Sequence, residues 1–200
     1  MNLPNKLTTS RFFFAALLMV LLVVEFRFSK TLALLVFIIA AITDYLDGQL
    51  ARGKYGVTNF GKLMDPLADK VMVCAALVGF VEIRLQPGGP PLVPAFVVVT
   101  IIAREFLVTG LRLLAASQGK VLAAGNWGKH KTAWQMIAII WTLTGLALLE
   151  DLLPAGELHG LLQQWFPLSV WAVMAVVVAI TLISGGIYFY EQRHMIMESS

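Results

Sequence analysis

The sequence predicts an all-α, polytopic membrane protein with six transmembrane helices, both termini cytoplasmic and one domain spanning residues 1–200. Three observations carry this. Hydrophobic residues make up 58% of the 200 positions and charged residues only 14%, against about 45–50% and 25% in soluble domains. Mean hydropathy is +0.80. The apolar residues also fall into runs near the ~20 residues that a bilayer-spanning helix needs. Together these exclude a disordered chain, a disulfide scaffold and an ordinary soluble enzyme, so any catalytic groups sit within or beside membrane helices.

Six segments are expected, at about 8–26, 31–52, 61–84, 91–116, 130–149 and 168–190. The first holds FFFAALLMVLLVV after Lys6 and Arg11. It lacks a small-x-small cleavage site and reads as a retained helix. Pro87-Gly88-Gly89-Pro90-Pro91 separates segments three and four, and Pro154-Ala155-Gly156 separates five and six. Cys74 lies in VMVCAALVGF and is expected to be a small packing residue. Of the tryptophans, Trp127, Trp165 and Trp171 fall at expected interfaces, Trp134 and Trp141 within helices.

Lys and Arg in the connections set the orientation. With the N-terminus inside, ten fall on the cytoplasmic side: Lys6, Arg11, Arg52, Lys54, Lys62, Arg112, Lys120, Lys129, Lys131 and Arg193. Three fall outside, namely Arg27, Lys30 and Arg84. The expected location is the cell (inner) membrane, with the polar face toward the cytoplasm and no nucleic-acid partner.

Segments two and three are each half charged. TLALLVFIIAAIT leads into DYLDGQLAR, and GKLMDPLADK leads into VMVCAALVGFV. Each ionisable group in a span costs at least about 2.5–3.5 kcal/mol and commonly marks function. Asp44, Asp47, Gly48, Ala51 and Arg52 fall at i, i+3, i+4, i+7 and i+8, one face of a helix. Gly61, Asp65 and Asp69 fall at i, i+4 and i+8. In an antiparallel pair, Asp44 and Asp69 each lie about 12 Å from the connecting loop. Four carboxylates so close raise one another's pKa unless cations balance them. An oxygen-only donor set favours Mg²⁺ or Mn²⁺ over Zn²⁺, and two such ions would form a clamp for phosphoryl transfer. Spacing alone leaves open a cation pathway, as in a cation-coupled transporter, or structural pairing with Lys62 and Lys70. The nearly apolar outer halves of segments two and three argue against a through-path.

Written as a pattern, residues 44–69 read D-x2-D-G-x2-A-R-x8-G-x3-D-x3-D. This resembles, without a mismatch, the signature of the CDP-alcohol phosphotransferase family. The resemblance implies a six-helix membrane bundle, usually homodimeric, with its active site open to the cytoplasm. It implies that Asp44, Asp47 and Asp65 hold two Mg²⁺ or Mn²⁺ ions, and that Asp69 touches one ion and acts as general base. Gly48, Ala51 and Gly61 would admit the cytidine nucleotide of CDP-diacylglycerol, and Arg52 would contact its phosphates.

NLPNKLTTSR at the N-terminus, IAREFLVTGLR at 102–112 and GKHKTAWQM at 128–136 are similar to the family's bacterial members that use sn-glycerol 3-phosphate as acceptor. Members that make cardiolipin share the main signature and are the nearest competitor. An anionic acceptor also suits the residues themselves. Arg104 and Arg112 of segment four and Lys129 and Lys131 of segment five fall on the aspartate side, where charged hydrogen bonds suit a phosphate monoester. Anchoring by Lys129 and Lys131, and an intramembrane Arg104–Glu105 pair, are the plainer roles for those residues. His130 and His194 read as interface residues, and His159 lies in the outer connection. Residues 150–200 show no usable motif.

Overall fold

A computed structural model describes the backbone of residues 3–54, 59–117 and 126–198, and the side chains of 10–43, 70–116, 130–190 and 192. The described residues form six α-helices and no strand: α1 (Leu3–Val23), α2 (Ser29–Lys54), α3 (Asn59–Glu82), α4 (Ala95–Ser117), α5 (Asn126–Leu146) and α6 (Glu157–Glu198). A π-helical turn, Ala147–Leu152, continues α5.

Helix ends follow local chemistry. α1 extends ahead of its apolar run, and Pro4, in its first described turn, has a backbone angle already suited to a helix. α3 ends where the next connection folds back on it: Leu92 N–H donates to Ile83 O (2.8 Å) and Val93 N–H to Phe80 O (3.3 Å). These bonds satisfy carbonyls that a helix end leaves open. α4 begins after Pro94, whose carbonyl accepts from Val97 N–H at 3.0 Å.

The sixth helix differs most from expectation. It starts at Glu157 instead of about 168 and runs 42 residues to Glu198. Pro167 lies inside it. Membrane helices tolerate an interior proline where neighbours re-satisfy the freed backbone groups. The last turn of α5 widens, with Leu153 N–H donating to Leu148 O at 2.9 Å. This puts Glu150 and Asp151 over the start of α2. Asp151 Oδ2 accepts from Thr31 N–H (2.6 Å) and Thr31 Oγ1 (2.8 Å), placing a carboxylate at a helix N-terminus. Lys30 donates to Leu22 O (2.7 Å) and lies 3.7 Å from Glu150. One polar latch thus joins α1, α2 and the end of α5.

Packing neighbours run α1–α2–α5–α6–α4–α3 and back to α1, with α3 also touching α5. The interior is filled by Leu18, Phe37, Leu77, Phe80, Ile101, Ile139, Leu143, Val170 and Val177. The exterior is apolar as well: Phe13, Ile42, Val99, Leu107, Ile137 and Leu168 are all more than half exposed. Side chains that are apolar both inside and outside belong in lipid. Among the described residues, two helices are long and apolar enough to cross a membrane, at His130–Leu152 and Glu157–Tyr190, and shorter apolar stretches cover Ser10–Val23 and Ser29–Thr43.

Gly145 permits the α5–α6 contact. A Cβ there would overlap the buried Phe166 ring. Gly145→Ala is expected to destabilise the protein by about 1–3 kcal/mol through overpacking, and Phe166→Leu in the same chain to recover much of that loss. Melting temperatures of the single and double variants in detergent would check this. A Gly145→Ala protein that melts with wild type would show that the ring has room to move.

Candidate active site

The aspartate pattern lies on helical backbone. Residues 44–54 belong to α2 and 59–69 to α3, so the i, i+3, i+4 spacing does put each set on one helix face. The side chains of Asp44, Asp47, Gly48, Ala51, Arg52, Gly61, Asp65, Asp69 and Lys129 lie outside the described residues. Arg104, Arg112 and Lys131 are described.

A buried charge cluster begins one residue after Asp69. Lys70 donates to Glu105 Oε2 at 2.6 Å. Lys131 pairs with Glu105 Oε1, and Arg104 Nη1 lies 3.5 Å from the same oxygen. Glu105 thereby binds α3, α4 and α5 together. Only 5% of Glu105 and 4% of Lys131 is exposed. A carboxylate buried this deeply needs such partners, since an unpaired buried charge is costly. Three cations around one carboxylate leave the cluster net positive, a suitable wall for an anionic ligand.

α6 supplies a second layer. Arg104 Nη2 donates to Ser184 Oγ at 2.9 Å, and its Cγ lies 3.2 Å from where a Cβ on Gly185 would sit. The guanidinium carbon of Arg112 lies 5.5 Å from the Tyr188 ring centroid, within cation–π range. The Nε atoms of Arg104 and Arg112 and the Tyr188 hydroxyl are buried without a hydrogen-bond partner among the described residues. Sequence reasoning assigned no role to α6. The signal was the polar, small stretch Ser184-Gly185-Gly186 with Tyr188 inside an otherwise apolar helix.

A cavity of about 240 Å³ lies between α3, α4 and α5. Lys70, Glu105, Lys131, Thr132 and Gln135 form its polar wall, and Cys74, expected to be simple packing, is among its apolar lining. The structure therefore brings together Arg104 and Lys131 around Glu105, and sets Arg112 against α6.

No group of His, Cys, Asp or Glu suited to a metal ion occurs among the described residues. The aspartate pattern itself fits hard divalent ions on its donor chemistry: four carboxylates, all oxygen, on two helical stretches that keep their register.

Comparison with known proteins bears on the same residues. Residues 1–183 match the family CDP-alcohol phosphatidyltransferase. The CDP-diacylglycerol–glycerol-3-phosphate 3-phosphatidyltransferase of Bacillus subtilis is 40% identical over 211 aligned positions, covering 100% of this chain and 99% of that protein. An Arabidopsis thaliana protein of the same description is 36% identical, covering 86% of this chain and 77% of the relative. A cardiolipin synthase (CMP-forming) of Oryza sativa is 42% identical over 149 positions, covering 70% of this chain and 44% of that protein. With the match spanning the aspartate pattern, the charge cluster and most of α6, the chain belongs to the CDP-alcohol phosphatidyltransferase family.

Proposed function

We propose that the protein transfers the phosphatidyl group of CDP-diacylglycerol to sn-glycerol 3-phosphate, giving phosphatidylglycerophosphate and CMP. The observation that carries the choice of acceptor is the cationic wall of Lys70, Arg104 and Lys131, which retains excess positive charge after Glu105 is counted. A dianionic phosphate monoester can engage several of these groups; the shielded diester of a phospholipid cannot do so as well. The near full-length similarity to the Bacillus subtilis phosphatidyltransferase supports the same reading.

In this reading Asp69 accepts the proton of the acceptor's 1-hydroxyl. The oxygen attacks the phosphorus that bears the diacylglycerol, and the bond to CMP breaks. Gly48, Ala51 and Gly61 leave room for the cytidine, and Arg52 holds its phosphates. Lys129 joins Arg104, Arg112 and Lys131 in holding the acceptor phosphate. Asp44, Asp47, Asp65 and Asp69 would hold two Mg²⁺ or Mn²⁺ ions, which supply charge neutralisation for the pyrophosphate. The remaining work is positioning and fixed electrostatics. The protein acts as a homodimer in the cell (inner) membrane, with six spans and with both termini and the site on the cytoplasmic side. The excess of Lys and Arg on the aspartate side supports that orientation.

Release of radiolabelled CMP in mixed micelles tests the reading. Purified protein with CDP-diacylglycerol should release CMP on addition of sn-glycerol 3-phosphate, and not with glycerol, serine or phosphatidylglycerol. The rice relative favours phosphatidylglycerol as the second candidate acceptor, and efficient turnover with it would reassign the protein to cardiolipin synthesis. EDTA should abolish the release, and Mg²⁺ or Mn²⁺ in excess should restore it. Full turnover in chelator, with no tightly held metal in the protein, would refute the two-metal site.

A further inference from the structure

The cavity between α3, α4 and α5 is tied to the proposed reaction by helix register. The α3 stripe that carries Asp65 and Asp69 continues, one and two turns on, as Val73 and Leu77. Both residues line the cavity. Gln135, one turn beyond Lys131 on α5, lines it too and is only 3% exposed. Its Nε2 is buried and has no hydrogen-bond partner among the described residues. A buried amide donor left unpaired is costly, and such a group calls for a specific explanation. A ligand oxygen in the cavity supplies one.

The chemistry of the acceptor narrows which oxygen. In sn-glycerol 3-phosphate the 1-hydroxyl attacks and the phosphate takes the cations. The C2 hydroxyl is the polar group left without a partner. A volume of about 240 Å³ suits a three-carbon chain; it is too small for a phospholipid with its acyl chains. We propose that this cavity seats the carbon chain of the acceptor, and that Gln135 is a specificity-determining residue whose side-chain amide donates to the C2 hydroxyl. The inference rests on the proposed use of glycerol 3-phosphate.

The test compares two acceptors at saturating CDP-diacylglycerol, using the full chain in mixed micelles. One is sn-glycerol 3-phosphate. The other is 3-hydroxypropyl phosphate, which keeps the attacking hydroxyl and the phosphate but lacks the C2 hydroxyl. Wild type should prefer glycerol 3-phosphate in kcat/KM by about a hundredfold, between the loss of one hydrogen bond and the full penalty of an unpaired site. Gln135→Met should lower kcat/KM for glycerol 3-phosphate, leave that for the analogue nearly unchanged, and bring the ratio close to one. Gln135→Asn keeps an amide but withdraws it by one methylene; it should also shrink the ratio, and it decides the matter if the Met variant does not fold. A purely structural role would lower both acceptors equally. An active wild type whose preference survives in the variants overturns this inference alone. A wild type that uses neither acceptor overturns the proposed function and this inference with it.

Discussion

Asp69→Asn is expected to lower kcat by about 10²- to 10⁴-fold, the usual range for loss of a general base, while CDP-diacylglycerol binding largely survives. The expectation follows from the role that the family signature gives its last aspartate, and from its position on the α3 stripe leading into the cavity lined by Lys70 and Lys131. Asp44→Asn should behave differently, losing metal affinity and turnover together. Steady-state kinetics with a parallel measurement of nucleotide-lipid binding would separate the two. A kcat near wild type in Asp69→Asn would remove that residue from the role of base.

The second large effect concerns stability. Glu105→Leu should destabilise the bundle by about 3–5 kcal/mol, because it leaves Lys70, Arg104 and Lys131 close together without their shared carboxylate. The cost lies in the uncompensated charges more than in the lost bonds. Accordingly, Glu105→Leu combined with Lys131→Met should be more stable than Glu105→Leu alone, despite removing another polar group. Thermal melts of the three proteins in one detergent give the order directly. If the double variant melts below the single one, the uncompensated Lys131 charge is not what costs the single variant its stability.

How much of this was legible in the sequence depended on the range of each interaction. Apolar runs located five of the six helices to within a few residues, since burial in lipid acts on each segment separately. α6 is longer than its most apolar run, about 168–190, because the polar stretch from Glu157 and the residues past Tyr190 also stay helical and Pro167 does not end the helix. The π turn at Ala147–Leu152 has no local signature; its acidic pair meets Lys30 and Thr31 from more than a hundred positions away in sequence. The same holds for the site. The aspartate spacing is a property of two adjacent helices and could be read directly. Arg104 and Lys131 could be assigned to the polar side by orientation alone. Their convergence on Glu105 with Lys70, and the support of Arg104 and Arg112 by Ser184 and Tyr188, depend on which helices pack together, and periodicity within a helix carries no such information.

The order of helices around the bundle has a consequence for biogenesis. α1 packs against both α2 and α3, and these three helices are made first, so they can associate while later segments are still being synthesised. α4 reaches α3 next, but its other neighbour is α6, the last helix made. Until α6 arrives, Arg104 and Arg112 lie in a half-built wall without Ser184 and Tyr188. A ribosome-bound chain carrying five helices would hold the whole aspartate pattern and Glu105 with its lysines, yet lack the side of the chamber that steadies the arginines. The arginine side of the charge cluster would then be completed late, when the final helix docks on α4 and α5 and closes the ring.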